Sequence, residues 1–480
     1  MQFSANFKPE REIIMILESF FSVNHMLKPF QKIGDIPDSR TVFRNFFQIA
    51  WPSAIESTLV GLVGAIDTMM VGGIGTEAIA AVGITNQPKF ILLAAINSLN
   101  VGVTAIVARR KGENNQESAN SCLRQCLLIC AFLSLFMAVM GFLFASEILI
   151  FAGATEDYLD YAISYFRILM VSIFFQAINL TVNAAQRGAG NTKISMRTNV
   201  TGNIVNVIFN YLLINGIGFF PKLGVQGAAI ATVLGAFVAC SMSIATLLKS
   251  HAFLSFHSEG TWKLQKPLLL LLVSISGSAL VEQVFMRIGF FTYAKLVAAL
   301  GTTAYATHLI CMNILSLSFN FADGFGVAAS SLVGQSLGAK RSDMAILYVK
   351  AGQRIVFCIS AMLCVFFIFS RYFLVSLFSK ETEVIELGSI IVLFIAAITW
   401  LQTSQVVVSG SLRGAGDTKF VALSSLISIT FFRPFLAWLF CYPLGFGLLG
   451  AWFSLFMDQG IRLALNFWRF STGKWTSIKV

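Results

Sequence analysis

The sequence predicts an all-α integral membrane protein, with twelve transmembrane helices in two six-helix bundles related as parallel repeats. Three observations carry this. The 480 residues are 56 % hydrophobic and only 12 % charged, with mean hydropathy +0.77, whereas soluble domains average about 45–50 % apolar and about 25 % charged. Twelve apolar stretches are long enough to cross a bilayer. One octapeptide occurs twice, "QRGAGNTK" at 186–193 and "LRGAGDTK" at 412–419, and other segments match at the same spacing.

Crossing about 30 Å of hydrocarbon takes roughly 20 helical residues, and a helix satisfies its own backbone groups in lipid. The stretches lie near 48–72, 78–108, 119–145, 158–185, 196–220, 225–248, 268–297, 303–336, 352–378, 385–411, 420–442 and 447–470. Lys and Arg concentrate in the tails and after even-numbered spans. Examples are Arg109, Arg110 and Lys111 after span 2, Arg187, Lys193 and Arg197 after span 4, and Lys340 and Arg341 after span 8. Loops after odd spans carry few. By the positive-inside rule both termini are cytoplasmic, in a multi-pass protein of the plasma membrane. The net charge of +11, from 34 basic and 23 acidic residues, then records basic loops on one face and not a nucleic-acid partner.

The N-terminal stretch "EIIMILESFF" is too short and acid-flanked for a signal peptide. It reads as an interfacial patch in a cytoplasmic tail, residues 1–45. Cys122, Cys126 and Cys130 share a helical face but have no His or acid nearby in sequence, so they read as small packing residues and no metal site is expected.

The octapeptide is not a phosphate loop. That motif requires Lys directly after its second Gly with a hydroxyl following, and here Thr precedes Lys193 and Lys419. The duplication itself is informative. Arg187 and Arg413 are 413 − 187 = 226 apart; Gly112 and Gly338 differ by 226, as do Gly75 and Gly301. A constant offset indicates tandem duplication of a six-span unit, and six being even gives both copies the same orientation. The expected division is an N-lobe at 46–248, a cytoplasmic linker at 249–267, a C-lobe at 268–470 and a tail at 471–480. The linker histidines, His251 and His257, read as residues of a solvated loop. The octapeptides read as structural turns after spans 4 and 10, with glycines for tight bends and basic ends anchored at the inner leaflet.

Two pseudo-symmetric bundles around a cleft suit alternating access. The paired "RGAG[ND]TK" loops, the segment "WPSAIESTLVGLVGAIDTMMVGGIGTEAIAAVG" at 51–83 and "LVGQSLGA" at 332–339 resemble the multidrug and toxic compound extrusion (MATE) family. The resemblance spans nearly the whole chain after residue 45. It implies a cation-coupled exporter of amphipathic, often cationic compounds.

Acids inside apolar spans are costly and usually functional. Span 1 holds Glu56 and Asp67; eleven helical steps bring both to one side, roughly 16 Å apart. Glu282 is the repeat mate of Glu56 at 226, whereas the mate of Asp67 is Tyr293. Span 5 carries Asn203, Asn206 and Asn210 on one face. In the resemblance, Asp67 matches the family's span 1 acid, Asn206 an asparagine of its N-lobe cation site, and Thr232 a span 6 hydroxyl. Asn210 falls where some members have a second Asp, and Glu282 matches the span 7 glutamate. Gln402 stands where some members use an aspartate for sodium. One carboxylate among amides favours protons over sodium as the coupling ion, since a carboxyl held away from water is relieved by protonation. Lys89, Arg167, Arg287, Arg433, Asp323 and Asp458 are expected to pair structurally.

The expected function is a monomeric secondary active multidrug exporter, antiporting organic cations against H⁺ in preference to Na⁺. Its other contacts are membrane lipids, and it needs no cofactor beyond the coupling ion. A lipid-linked sugar flippase is the alternative. Only His25, His251, His257 and His308 are present, and no paired catalytic cluster supports an enzyme.

Overall fold

The structure, a computed structural model, describes residues 20–218, 220–250, 252–478 and 480. Twelve long helices dominate it. The first lobe holds α1 (Ser39–Gly72), α2 (Thr76–Gly112), α3 (Gln116–Leu143), α4 (Glu156–Gly188), α5 (Thr192–Asn215) and α6 (Gly224–Leu247). The second holds α7 (Lys266–Ala298), α8 (Thr302–Gly338), α9 (Ser342–Ser376), α10 (Thr382–Gly414), α11 (Thr418–Cys441) and α12 (Gly447–Ser471). Ten are long and apolar enough to cross a membrane on composition alone. The others are α5, diluted by Asn199, Asn203, Asn206 and Asn210, and α12, diluted by Asp458 and Arg462.

The repeated octapeptide closes two helices and opens two more. In each copy the glycine at Gly190 or Gly416 adopts φ of +87°, a left-handed conformation that strains any residue with a Cβ. The Asn191 amide donates back to the Gln186 carbonyl at 2.8 Å, and the Asp417 amide to that of Leu412 at 2.8 Å, which satisfies the last free carbonyls of α4 and α10. The glycine two residues earlier serves packing. A Cβ on Gly188 would lie 2.7 Å from the Thr104 oxygen, and one on Gly414 would lie 2.1 Å from that of Ser330. Residues 104 and 330 are themselves 226 apart, so duplication preserved this helix crossing. Arg187 and Arg413 do not anchor at a lipid surface as the sequence suggested. They end α4 and α10 and turn inward to acids.

The segment before α1 is not a free tail. Of the apolar patch at 12–21, residues 12–19 lie outside the described residues, but Val23, Met26 and Leu27 are buried against α1, α8 and α9. Lys350 Nζ donates to the Met26 carbonyl at 2.6 Å, Arg354 caps the Phe20 carbonyl, and Arg341 Nη2 reaches that of Asp35 at 2.8 Å. Asp343, at the start of α9, accepts from the Ile33 amide at 3.2 Å and pairs with Arg341 at 2.9 Å. Burial pushes its carboxyl up, but the Arg341 guanidinium and two backbone amides outweigh this and hold it below the usual carboxylate range. The first helix also begins at Ser39, within the stretch assigned to the tail.

The linker is held against α3 through its backbone carbonyls, with much of its length still exposed. Arg124 of α3 donates to the carbonyls of Gly260, Phe256 and Ser258, with the last at 2.6 Å. Asn120 and Gln116 hold Phe253. His257 is exposed, while His251 lies outside the described residues.

Between lobes, α1 packs on α8 and α2 on α7. The tightest approaches lie at the end carrying the basic loops. A Cβ on Gly112 would stand 1.9 Å from the Gln335 carbonyl oxygen, and one on Gly338 would stand 2.1 Å from that of Arg109. Gln335 Nε2 and Ser331 Oγ, both of α8, donate to the Gly188 carbonyl across the interface, at 2.9 and 3.2 Å.

Candidate functional site

The first lobe gathers Asp67, Asn206, Asn210 and Thr232 into one cluster between α1, α5 and α6. The spacing of Asn206 and Asn210 puts both on the face of α5 that meets α1. Asn210 Nδ2 donates to Asp67 Oδ1 at 2.6 Å. With its amide nitrogen facing the carboxylate, Asn206 donates to Asp67 at 3.0 and 3.2 Å, and its oxygen accepts from Thr232 Oγ1 at 3.3 Å. Close packing makes the pocket possible: a Cβ on Gly235 of α6 would lie 2.6 Å from the Gly202 carbonyl oxygen of α5. Asp67 and Thr232 line a cavity of about 290 Å³, and Lys89 of α2 lines it too. Lys89 is therefore part of the site's electrostatics, which the sequence alone left without a partner.

Glu56 lies deeper along α1 and is buried. Its Oε1 accepts from Asn199 at 2.5 Å, Ser195 at 2.9 Å and Arg187 at 3.4 Å. Glu282 repeats the arrangement, accepting from Arg413 at 2.7 Å and Ser425 at 2.9 Å. All three elements obey the offset: 282 − 56, 413 − 187 and 425 − 199 each equal 226. The two acids and the two octapeptide arginines thus form one duplicated device that pins α1 to α4 and α5, and α7 to α10 and α11. Glu56 and Asp67 both face α5 but have separate partners.

The second lobe departs where Asp67 would be mirrored. Tyr293 stands there and donates its hydroxyl to the Ala451 carbonyl at 2.9 Å. A cavity of about 220 Å³ is lined by Glu282, Gln402, Arg413, Arg433 and Arg462 among others. Arg433 is placed by a π-helical turn, Leu426–Phe432, in the middle of α11, a widening common at functional sites. It pairs with buried Asp458 at 2.5 Å, and Ser428 Oγ donates to the same carboxylate at 2.5 Å. Gln402 is buried, with Oε1 making no hydrogen bond.

Of the other charges singled out from sequence, Arg167 covers the Phe142 ring at 5.5 Å and Arg287 the Phe90 ring at 5.4 Å. Asp323 faces the other lobe and accepts from Ser57 at 3.4 Å. Arg462 went unnoticed, though a lone arginine in "DQGIRLALNF" carries the same signal as the others. Cys122, Cys126 and Cys130 are buried, and no group of three or more His, Cys, Asp or Glu among the described residues is placed to hold a metal ion.

The profile of the MatE family matches residues 52–212 and again 278–439, two segments whose starts lie 278 − 52 = 226 apart. The chain is 26 % identical over 452 residues to a protein of Thermotoga maritima called probable multidrug resistance protein NorM, covering 94 % of this chain and 96 % of that one. It is 25 % identical to the uncharacterized transporter YisQ of Bacillus subtilis, covering 90 % and 94 %. Among solved structures, a MATE-family multidrug resistance transporter in an outward-facing conformation superposes with TM-score 0.84 at 20 % identity, covering 91 % of this chain and 97 % of that one.

Proposed function

The chain belongs to the MatE family, a family of transporters and not of enzymes, and on that premise we propose that it is a secondary active multidrug exporter driven by proton antiport. Relatives called multidrug resistance proteins over more than nine-tenths of the chain support the efflux reading. The observation that carries the choice of ion is the N-lobe cavity, where a single carboxylate, Asp67, meets two amides and shares the wall with Lys89. A sodium ion giving up its water there would gain one formal negative charge and face a nearby ammonium. A proton needs only the carboxylate.

Ionised Asp67 accepts from Asn210 and Asn206 and so ties the outer half of α1 to α5. Protonation turns one oxygen from acceptor to donor and weakens those bonds. The inner half of α1 stays held by Glu56, Arg187 and Asn199. Movement of α1 then concentrates between residues 56 and 67 and reshapes the cavity, which releases the exported compound. Glu282, on the C-lobe cavity wall, takes part in substrate binding. On the positive-inside rule the basic loops and both termini lie in the cytoplasm, and the tight packing of the lobes at that end supports a state closed on the cytoplasmic side, with the lobes divided at 249–267. Cells expressing the wild type should tolerate ethidium, and Asp67→Asn should abolish that tolerance while inserting normally. Unchanged tolerance in the variant would refute the assignment.

A further inference from the structure

We propose that the C-lobe cavity contains a subsite for an anionic oxygen group, a carboxylate carried by the exported compound, with Arg462 as its receptor. Three arginines line this cavity. Arg413 is neutralised by Glu282 at 2.7 Å and Arg433 by Asp458 at 2.5 Å. Arg462 is only 7 % exposed. It donates Nη2 to the neutral Gln459 Oε1 at 2.8 Å, its Nε makes no hydrogen bond, and no carboxylate among the described residues lies within 4.0 Å of it. The remaining acid on the wall, Asp323, is turned toward Ser57 of the other lobe.

A guanidinium cannot shed its charge under physiological conditions, and the acids whose charges reach Arg462, Asp458 and Glu282, are already paired with Arg433 and Arg413, so its burial stays costly. Nε and a terminal nitrogen of one guanidinium form a fork that matches a carboxylate with two parallel bonds. Gln402 supplies the complement: its Oε1 is buried on the same wall without a donor and suits an N–H of the same ligand. Apolar Met286, Phe290 and Phe319 complete the cavity. The chemistry fits an amphipathic zwitterion, one that presents a carboxylate to Arg462 and a nitrogen donor to Gln402.

The identity of the carrier molecule rests on the exporter reading, so the test is equilibrium binding, which needs no gradient. Purified full-length protein in neutral detergent is titrated calorimetrically with a zwitterionic fluoroquinolone, with its methyl ester and with ethidium. The wild type should bind the free acid about tenfold or more tighter than the ester, the range of a charge-assisted hydrogen bond. Arg462→Gln should bring that ratio close to one, Arg462→Lys should keep part of it, and Arg462→Gln should bind ethidium no more weakly. Equal wild-type affinity for acid and ester, or a preference that survives Arg462→Gln, overturns the subsite. Should the glutamine variant elute aggregated, the wild-type ratio and the lysine variant decide. Anionic phospholipid that copurifies with the wild type but not with Arg462→Gln, without any preference for the free acid, assigns the arginine to a lipid phosphate and overturns the substrate carboxylate. A wild type that binds none of the three compounds overturns the exporter reading along with it, whereas ethidium binding without acid preference overturns the subsite alone.

Discussion

Removing the charges of Glu56 and Arg187 together should destabilise the protein by less than the two separate losses added. Arg187 Nη1 lies 3.4 Å from Glu56 Oε1, which at an effective dielectric near 20 is an attraction of about 5 kcal/mol before desolvation. Arg187→Gln leaves a buried carboxylate on two neutral donors, Ser195 and Asn199, and loss of one partner from a buried pair costs about 3–5 kcal/mol. Glu56→Gln keeps an acceptor for both donors and strands a guanidinium whose side chain is 22 % exposed, so water relieves part of the loss and the cost falls nearer 2 kcal/mol. The double variant has no stranded charge, and its loss should fall short of the sum by about 1–3 kcal/mol. The C-lobe cycle on Glu282 and Arg413 should couple more strongly, because the charge-assisted hydrogen bond is 2.7 Å there and 3.4 Å between Arg187 and Glu56. Thermal unfolding in detergent, followed with a thiol-reactive dye, suits the measurement, because Cys122, Cys126, Cys130, Cys240, Cys311 and Cys441 are buried until the lobes open. Additive losses in both cycles would show that the octapeptide arginines and the paired glutamates do not act together.

Gly112→Val should block closure at the basic end, since the added atoms would overlap the Gln335 carbonyl; labelling of a cysteine introduced at Ser336 should rise, and unchanged labelling would contradict the gate. Arg124→Ala strips the linker of three carbonyl contacts, so limited proteolysis near Ser258 should quicken several-fold with the lobes otherwise intact. Asp343→Asn should loosen residues 22–38 and speed their proteolysis. The pH dependence of that docking follows from the depressed carboxyl: its contribution is complete above about pH 4. It is lost only as the pH falls through the lowered value, so cleavage should stay flat between about pH 5 and 8. A rise in cleavage already at pH 6 would assign the docking to another group.

The helices, their count and the duplication were legible because each depends on pattern alone. Apolar length sets a span, and a constant offset survives whatever the side chains do. Helical spacing put Asn206 and Asn210 on one face of α5, whereas their grouping with Asp67 of α1 followed only from the resemblance to the MATE family. What escaped were contacts between segments far apart in sequence. Basic residues near a loop read as leaflet anchors, but Arg187 and Arg413 belong to helix ends whose inward face is set by Gly188 and Gly414 packing on α2 and α8. The linker and the pre-α1 segment look like solvated coil because their partners, Arg124, Lys350 and Arg354, are donors to backbone carbonyls, which no residue pattern advertises. The π-turn that turns Arg433 inward likewise depends on packing of α11 against α7 and α12, not on any local signal beyond Pro434.

The central claim is that Asp67 couples export to protons, and purified protein reconstituted in liposomes tests it most directly. Ethidium transport is followed under a proton gradient alone and under a sodium gradient alone, for the wild type and for Asp67→Asn. The account predicts wild-type transport under the proton gradient, none above background under sodium, and none from the variant under either. Wild-type transport driven by sodium without a proton gradient would contradict it.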